Sequence, residues 1–211
     1  MIVAIDGPAG AGKSTVARAL AERLGFRYLD TGAMYRALTW LAMFRGIDLS
    51  AGEALAELAR TEPVVFDAEG RVTIAGKDVT SSIREQRIDR MVPVVAKHAA
   101  VREVMRERQR ELGRDGDVVI EGRDIGTVVA PGAEVKVYLV ADREERAKRR
   151  MADRPGIGAD ALATDMRWRD EKDAERMKPA EDAREIDTTG LRVEEVVERI
   201  EALVRERTAA A

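Results

Sequence analysis

A chain of 211 residues is one domain, or a core with inserted subdomains, and it is long enough to bury a substantial apolar core. Charged residues make up 36% of it, above the roughly 25% of an average globular protein, yet 36 Lys+Arg against 39 Asp+Glu leave a net charge of −3, which excludes nucleic-acid binding by bulk charge. The absence of cysteine and the single histidine likewise exclude disulfides, thiolate metal sites and a histidine-based metal centre.

At the N-terminus, Ile2, Val3, Ala4 and Ile5 have the length and β-branched content of a buried parallel strand, which Asp6-Gly7-Pro8 ends. This run has no basic residues before it and breaks at Asp6, so it is not read as a secretory signal. No window reaches the ~18 apolar residues of a membrane span, so a cytoplasmic protein without membrane association is expected. Gly7, Gly12, Lys13 and Ser14 fit the G-x-x-x-x-G-K-[ST] pattern of a phosphate loop, with Gly10 as an extra glycine. Such a loop turns successive N–H groups into one concavity, and a Cβ would obstruct the phosphate oxygens. The helix predicted from 13 to about 24 aims its dipole and free N–H groups at the same anion. Gly7, Pro8, Ala9, Gly10, Ala11, Gly12, Lys13, Ser14 and Thr15 are therefore the candidate nucleotide-phosphate site. Lys13 is expected on the β- and γ-phosphates, and the Ser14 hydroxyl on Mg²⁺.

A second strand is expected at 26–29, then a turn at Asp30-Thr31-Gly32, then a helix on which Met34, Leu38, Leu41, Ala42 and Met43 keep helical spacing up to Gly46. An amphipathic helix at 51–60 precedes a change of texture, with short strands at 64–66, 71–74 and 77–79 joined by turns. Residues 60–80 are accordingly assigned to an antiparallel insert, with 1–59 and 81–211 forming the core. Ser81-Ser82 is expected to cap the next helix, and a long arginine-rich helix is expected at 96–113 with His98 on its surface. The strand 118–120 ends in Glu121, before Gly122-Arg123-Asp124. An acid at that end of a strand is where a phosphate-loop protein places a ligand to Mg²⁺ through water. Further on come a buried strand at 135–140, a charged helix at 143–151, a break at 153–158 and a helix at about 159–176. On that helix Arg169, Asp173 and Arg176 share one face, in a stretch of about 153–176 expected to act as a lid. A weak strand at 185–187 and an amphipathic helix at 193–207 close the chain.

Together these motifs resemble the bacterial cytidylate kinases, within the nucleoside monophosphate kinases, over nearly the whole length. The resemblance rests on Ile5-Asp6-Gly7-Pro8-Ala9-Gly10-Ala11-Gly12-Lys13-Ser14 and Leu29-Asp30-Thr31-Gly32-Ala33-Met34-Tyr35-Arg36. It rests equally on Gly122-Arg123-Asp124-Ile125-Gly126-Thr127-Val128-Val129 and Arg167-Trp168-Arg169-Asp170-Glu171-Lys172-Asp173. It implies an α/β fold with a five-stranded parallel sheet flanked by helices, a small antiparallel insert that binds the monophosphate, and a helical lid. It further implies γ-phosphoryl transfer from ATP to CMP or dCMP with Mg²⁺, by a protein expected to act as a monomer. On the family's motifs Arg36, Arg123 and Arg176 would hold the CMP phosphate, with Thr31 and Tyr35 beside the nucleotide. Arg102 and Asp124 would meet cytosine, and Arg169 and Asp173 the ribose. Lys13, Arg123, Arg169 and Arg176 would then be the catalytic cations, which suits a transfer governed by positioning and charge. The chain departs from the pattern at Pro93, where relatives often have a serine near the base. A kinase of UMP, AMP or shikimate is the nearest alternative. A nucleotide-hydrolysing switch is the other, but it calls for an Asn-Lys-x-Asp motif that the sequence lacks.

Overall fold

The computed structural model describes all residues except 68, 154–157, 175–176 and 210–211, together with the side chains of 153, 159–162, 165 and 169. By its internal contacts the chain divides into two compact units, 1–29 with 113–211, and 30–112.

The first unit is built on β1 (Ile2–Asp6), β6 (Val118–Glu121), β7 (Val135–Val140), β8 (Arg184–Asp187) and β2 (Arg27–Asp30), in the order β2-β6-β1-β7-β8. The pairs β1 with β6, β1 with β7, and β7 with β8 are parallel. Near-continuous apolar strands of this kind need cover on both faces. On one face the cover comes from α1 (Lys13–Leu24) and α8 (Val193–Ala209), whose Leu20, Ile200 and Val204 close on Val3, Ile5, Val119, Val137 and Leu139. Helix α1 ends where expected, with Gly25 in the left-handed conformation and its N–H on the carbonyl of Glu22. The central strand β1 sets the register, with Ile5 beside Glu121 and Asp6 beside Tyr138. The segments leaving β1 and β6 thus emerge at neighbouring carboxyl ends, where ligands of open α/β sheets bind. The helices α6 (Arg143–Asp153) and α7 (Ala159–Asp173) complete the unit.

In the second unit α2 (Thr31–Phe44) packs on α4 (Gln86–Ala96), and both α3 (Gly52–Thr61) and the antiparallel sheet β3 (Val65–Phe66), β4 (Val72–Ile74), β5 (Lys77–Asp78) adjoin it. Met34, Leu38, Leu41, Leu55, Ile74, Ile83 and Ile88 are its largest fully buried side chains.

Three local expectations are corrected. Asp30-Thr31-Gly32 is no free turn: Asp30 caps α2, accepting 2.7 Å from the N–H of Ala33, so the helix begins at Thr31. Ser81 makes no side-chain cap, and a 3₁₀ turn at Ser82–Arg84 precedes α4. The long helix expected at 96–113 begins only at Ala99, as α5 (Ala99–Arg114), and His98 sits at its joint with α4. There its ring lies 2.9 Å from the Leu49 carbonyl and covers Gly52, so the histidine is a packing residue.

Candidate active site

The loop from Gly7 to Lys13 follows β1 directly, and its shape is fixed by what lies behind it. Gly7 has φ +146°, and a Cβ there would come within 2.2 Å of the Leu139 carbonyl oxygen. At Gly10, with φ +79°, a Cβ would meet the Cβ of Arg146 at 3.0 Å. No other residue fits either position without displacing backbone. Ala9 and Ala11 are buried, and Gly12 forms the N-cap of α1. Lys13 follows, its ammonium donating 2.8 Å to the Pro8 carbonyl, with Ser14 half-buried and Thr15 exposed in the same first turn. The candidate nucleotide-phosphate residues thus form one continuous structure.

Around Lys13 the structure gathers several sequence candidates. Glu121 is buried at the end of β6, and the Tyr28 hydroxyl donates to it at 2.5 Å. Arg123 donates through Nη1 to the Gly7 carbonyl at 2.8 Å and through Nε to Asp173 at 3.0 Å. Burial, followed by the positive charge of Arg123, pushes the Lys13 ammonium down to about 7, against the opposing pull of Glu121, Asp6 and Asp173. Asp124, half-buried, follows Arg123, and its carbonyl accepts the N–H groups of Val128 and Val129, closing a wide π-type turn at Ile125–Val129.

Several residues of this site are not evident in the sequence. Asp6, read there only as the end of a strand, is buried and accepts the N–H groups of Ile125 and Gly126 at 2.9 and 2.8 Å. Burial raises its pKa in spite of those two bonds. It thereby fixes the turn after Arg123 to the root of the phosphate loop. From α6, Arg146 donates 3.0 Å to the Ala9 carbonyl and 2.8 Å to Asp170, while Arg149 donates to both the hydroxyl and the carbonyl of Thr188. The Thr188 hydroxyl is in turn 3.3 Å from the Ala11 carbonyl. One signal was available for these arginines: α6 has few apolar residues, so any face it buries must carry charge.

In the second unit Thr31 is buried as the first residue of α2, and Tyr35 and Arg36 lie half-buried one turn on. Arg36 bonds both oxygens of Asp30, at 3.3 and 3.1 Å, and Arg84 reaches the same carboxylate at 3.0 Å. Burial alone would raise the pKa of Asp30, but the two guanidinium groups and the Ala33 N–H outweigh it and lower it. Arg102 is half-buried in the first turn of α5. Pro93 lies inside α4 and is buried, with neither a hydroxyl nor an N–H to offer. Arg176 and the side chain of Arg169 fall outside the described residues, as does most of the expected break before α7.

Two kinds of comparison bear on this geometry. The solved structures it resembles include a shikimate kinase from Bacteroides thetaiotaomicron, at a TM-score of 0.52 and 18% identity over 97% of this chain and 98% of that one. A gluconokinase from Sinorhizobium meliloti gives a TM-score of 0.51 and 16% identity over 99% and 94%. These likenesses show the fold of the P-loop kinases. In sequence, the chain is 46% identical to the cytidylate kinase of Bacillus licheniformis over 97% of its own length and 96% of that protein. It is 50% identical to that of Anoxybacillus flavithermus, again over 97% and 96%, and 46% identical to that of Bacillus subtilis over 98% and 97%. The family described as cytidylate kinase matches residues 3–206, and the chain belongs to it.

Proposed function

We propose that this protein transfers the γ-phosphoryl group of ATP to CMP or dCMP, giving ADP and the nucleoside diphosphate. The observation that carries the reading is a complete phosphate loop, with Lys13 and Arg123 at it, in a chain matched to the cytidylate kinases from end to end. In such a transfer the charge spreads over the moving oxygens, so fixed cations and alignment supply most of the acceleration. Lys13 would offset charge on the β- and γ-oxygens, and Arg123, held on the Gly7 carbonyl beside the loop, would serve the phosphate that passes between the nucleotides. Thr31, Tyr35, Arg36, Arg102, Asp124, Asp173, Arg169 and Arg176 are the remaining acceptor residues, carried by the family's motifs. The segment of about 153–176 is read as a lid and residues 60–80 as the insert of the acceptor-binding part.

The donor chemistry fits a nucleotide-borne Mg²⁺. Among the described residues no group of three His, Asp or Glu side chains is set to hold a metal. Mg²⁺ commonly keeps its waters and takes one or two protein oxygens besides the phosphates, and the Ser14 hydroxyl and, through water, the Glu121 carboxylate supply that number. When bound, the ion would neutralise charge on the phosphates, and Tyr28 holds the Glu121 carboxylate that would meet its water. No helix among the described residues is long and apolar enough to cross a membrane. We place the enzyme in the cytoplasm, as a monomer acting on nucleotides without a nucleic-acid partner.

Base choice follows from the ring. Cytosine presents an amino donor at position 4 and acceptors at N3 and O2, which match a carboxylate at Asp124 and a guanidinium at Arg102. Uracil reverses both the position-4 group and N3, and a site built for one pattern rejects the other by up to ~10⁴-fold. Pro93 supplies no further contact, so the margin falls below that bound. A coupled ADP-release assay with ATP-Mg²⁺ against CMP, dCMP, UMP, AMP and shikimate tests the reading. CMP or dCMP should be preferred by a wide margin, and Asp124→Ala should narrow the CMP to UMP ratio by losing CMP activity. Equal kcat/KM for CMP and UMP would overturn the base assignment, and a preference for shikimate the substrate class.

A further inference from the structure

Two arginines join the phosphate loop to α7 in the same manner. Arg123 donates to the Gly7 carbonyl at 2.8 Å and to Asp173 at 3.0 Å. Arg146 donates to the Ala9 carbonyl at 3.0 Å and to Asp170 at 2.8 Å. Asp170 and Asp173 are three residues apart on α7, so both carboxylates lie on one helical face. Arg123 and Asp173 belong to the reading given above; Arg146 and Asp170 have no part in it.

Arg146 is only 7% exposed, far more buried than an arginine placed for solubility. Its Nε and the Oδ1 of Asp170 are buried with no hydrogen-bond partner among the described residues. These leftover atoms belong to the two side chains already joined, Nη2 to Oδ2. An arginine presents Nε and one terminal nitrogen side by side, as a fork that matches both oxygens of a carboxylate. The present single bond is therefore one half of a bidentate pair, and a small shift of α7 toward α6 would form the other. The Ala9 carbonyl shares its peptide plane with the N–H of Gly10, so drawing that oxygen outward turns the N–H the opposite way.

We propose that Arg146 and Asp170 are a positioning pair for the transfer. Arg146 sets the Ala9 peptide of the phosphate loop, and Asp170 makes that setting depend on where α7, the helix that carries Asp173, stands. The proposal rests on the kinase reading, and neither residue touches a substrate. Donor binding and acceptor binding are then coupled through α7, each raising the affinity for the other.

The test uses the full chain with Arg146→Lys, Asp170→Asn and the double variant, with KM for ATP measured at low and saturating CMP, KM for CMP at saturating ATP, and thermal midpoints alongside. Each single variant should raise KM for ATP about tenfold and remove its dependence on CMP concentration, leaving KM for CMP at saturating ATP little changed. The double variant should be no worse than the poorer single. Asp170→Asn is nearly isosteric on a side chain 27% exposed, so it carries the test alone if Arg146→Lys does not fold. An unchanged KM for ATP, single effects that multiply in the double variant, or a lowered thermal midpoint with both KM values unchanged would overturn the pair. Failure of the unmutated chain to phosphorylate CMP would overturn the reading beneath it instead.

Discussion

The charge around Lys13 and the charge around Asp30 are settled in opposite ways. Lys13 is a cation that burial and the neighbouring Arg123 make costly, so that its ammonium holds a proton only up to about pH 7. Asp30 is an anion buried to 4% exposure, yet it stays ionised because Arg36 and Arg84 together outweigh the loss of water. At the first site Glu121, Asp6 and Asp173 do not offset burial and the charge of Arg123; at the second, two guanidinium groups serve one carboxylate. Folding completes the second, whereas the first awaits the charge of a ligand. The difference predicts that damage at Lys13 falls on chemistry and damage at Asp30 on stability.

The largest effect is expected for Lys13→Ala, with kcat down about 10³-fold as a cation on the transferring group is lost. Its thermal midpoint should not fall, since a buried and unfavourable charge has gone with it. Turnover within tenfold of the unmutated protein would break the comparison at its first member.

Next comes Asp30→Ala, which leaves Arg36 and Arg84 facing each other and the Ala33 N–H without its cap. Removing one partner of a buried pair and the cap should cost about 3 kcal/mol, read from denaturant midpoints. The pH profile carries the sign. A lowered pKa in the folded state means a stabilisation present in full above the ordinary carboxylate value of about 3.9 and lost as pH falls below it. Acid unfolding of the unmutated protein should therefore be steeper below about pH 4 than that of the variant. A loss under about 1 kcal/mol would mean that the two arginines find water as readily as they find Asp30.

A smaller effect sharpens the contrast from the other side. At pH 8 the Lys13 amine is mostly neutral without ligand, so ATP-Mg²⁺ should bring in up to about one proton as it binds, and close to none at pH 6. Calorimetry in buffers of different ionisation enthalpy measures this, and Lys13→Ala should abolish it. For folding the same shift runs the other way: the unfolded lysine keeps its proton to about pH 10.4, so this group's contribution to stability rises with pH from about 7 to 10. Equal proton uptake at both pH values would place the ammonium outside the phosphate contacts. The least effect is expected for Arg84→Gln. Its guanidinium is half-exposed and one of two on Asp30, so the loss should stay below about 1 kcal/mol; a larger loss would make Arg84, rather than Arg36, the main partner.

The phosphate loop was plain in the sequence because everything that defines it is local: an apolar strand, glycines at set intervals, a lysine opening a helix. The sheet followed from runs such as Val135–Val140, which is apolar and mostly buried except at Lys136. The cap at Asp30 was there to be found, as an Asp just before an apolar periodic stretch, but the glycine two residues later favoured a turn. Arg146 was hidden for a different reason. In Arg143–Asp153 most residues are charged, and periodicity cannot single out the guanidinium that points inward. Its role depends on Ala9 and Asp170, at separations of 137 and 24 residues, which only the folded chain brings together. Asp6 is a similar case, since its two N–H partners arrive from beyond residue 120.

The carbonyl oxygens of Gly7, Pro8 and Ala9 are each tied back by a different cation, Arg123, Lys13 and Arg146. Three successive residues held in this way leave the loop little conformational freedom to surrender when a phosphate arrives. The ordering entropy of a glycine-rich loop, about 1–2 kcal/mol for each residue fixed, is thus met during folding. Nucleotide binding then gives up less free energy to ordering the loop.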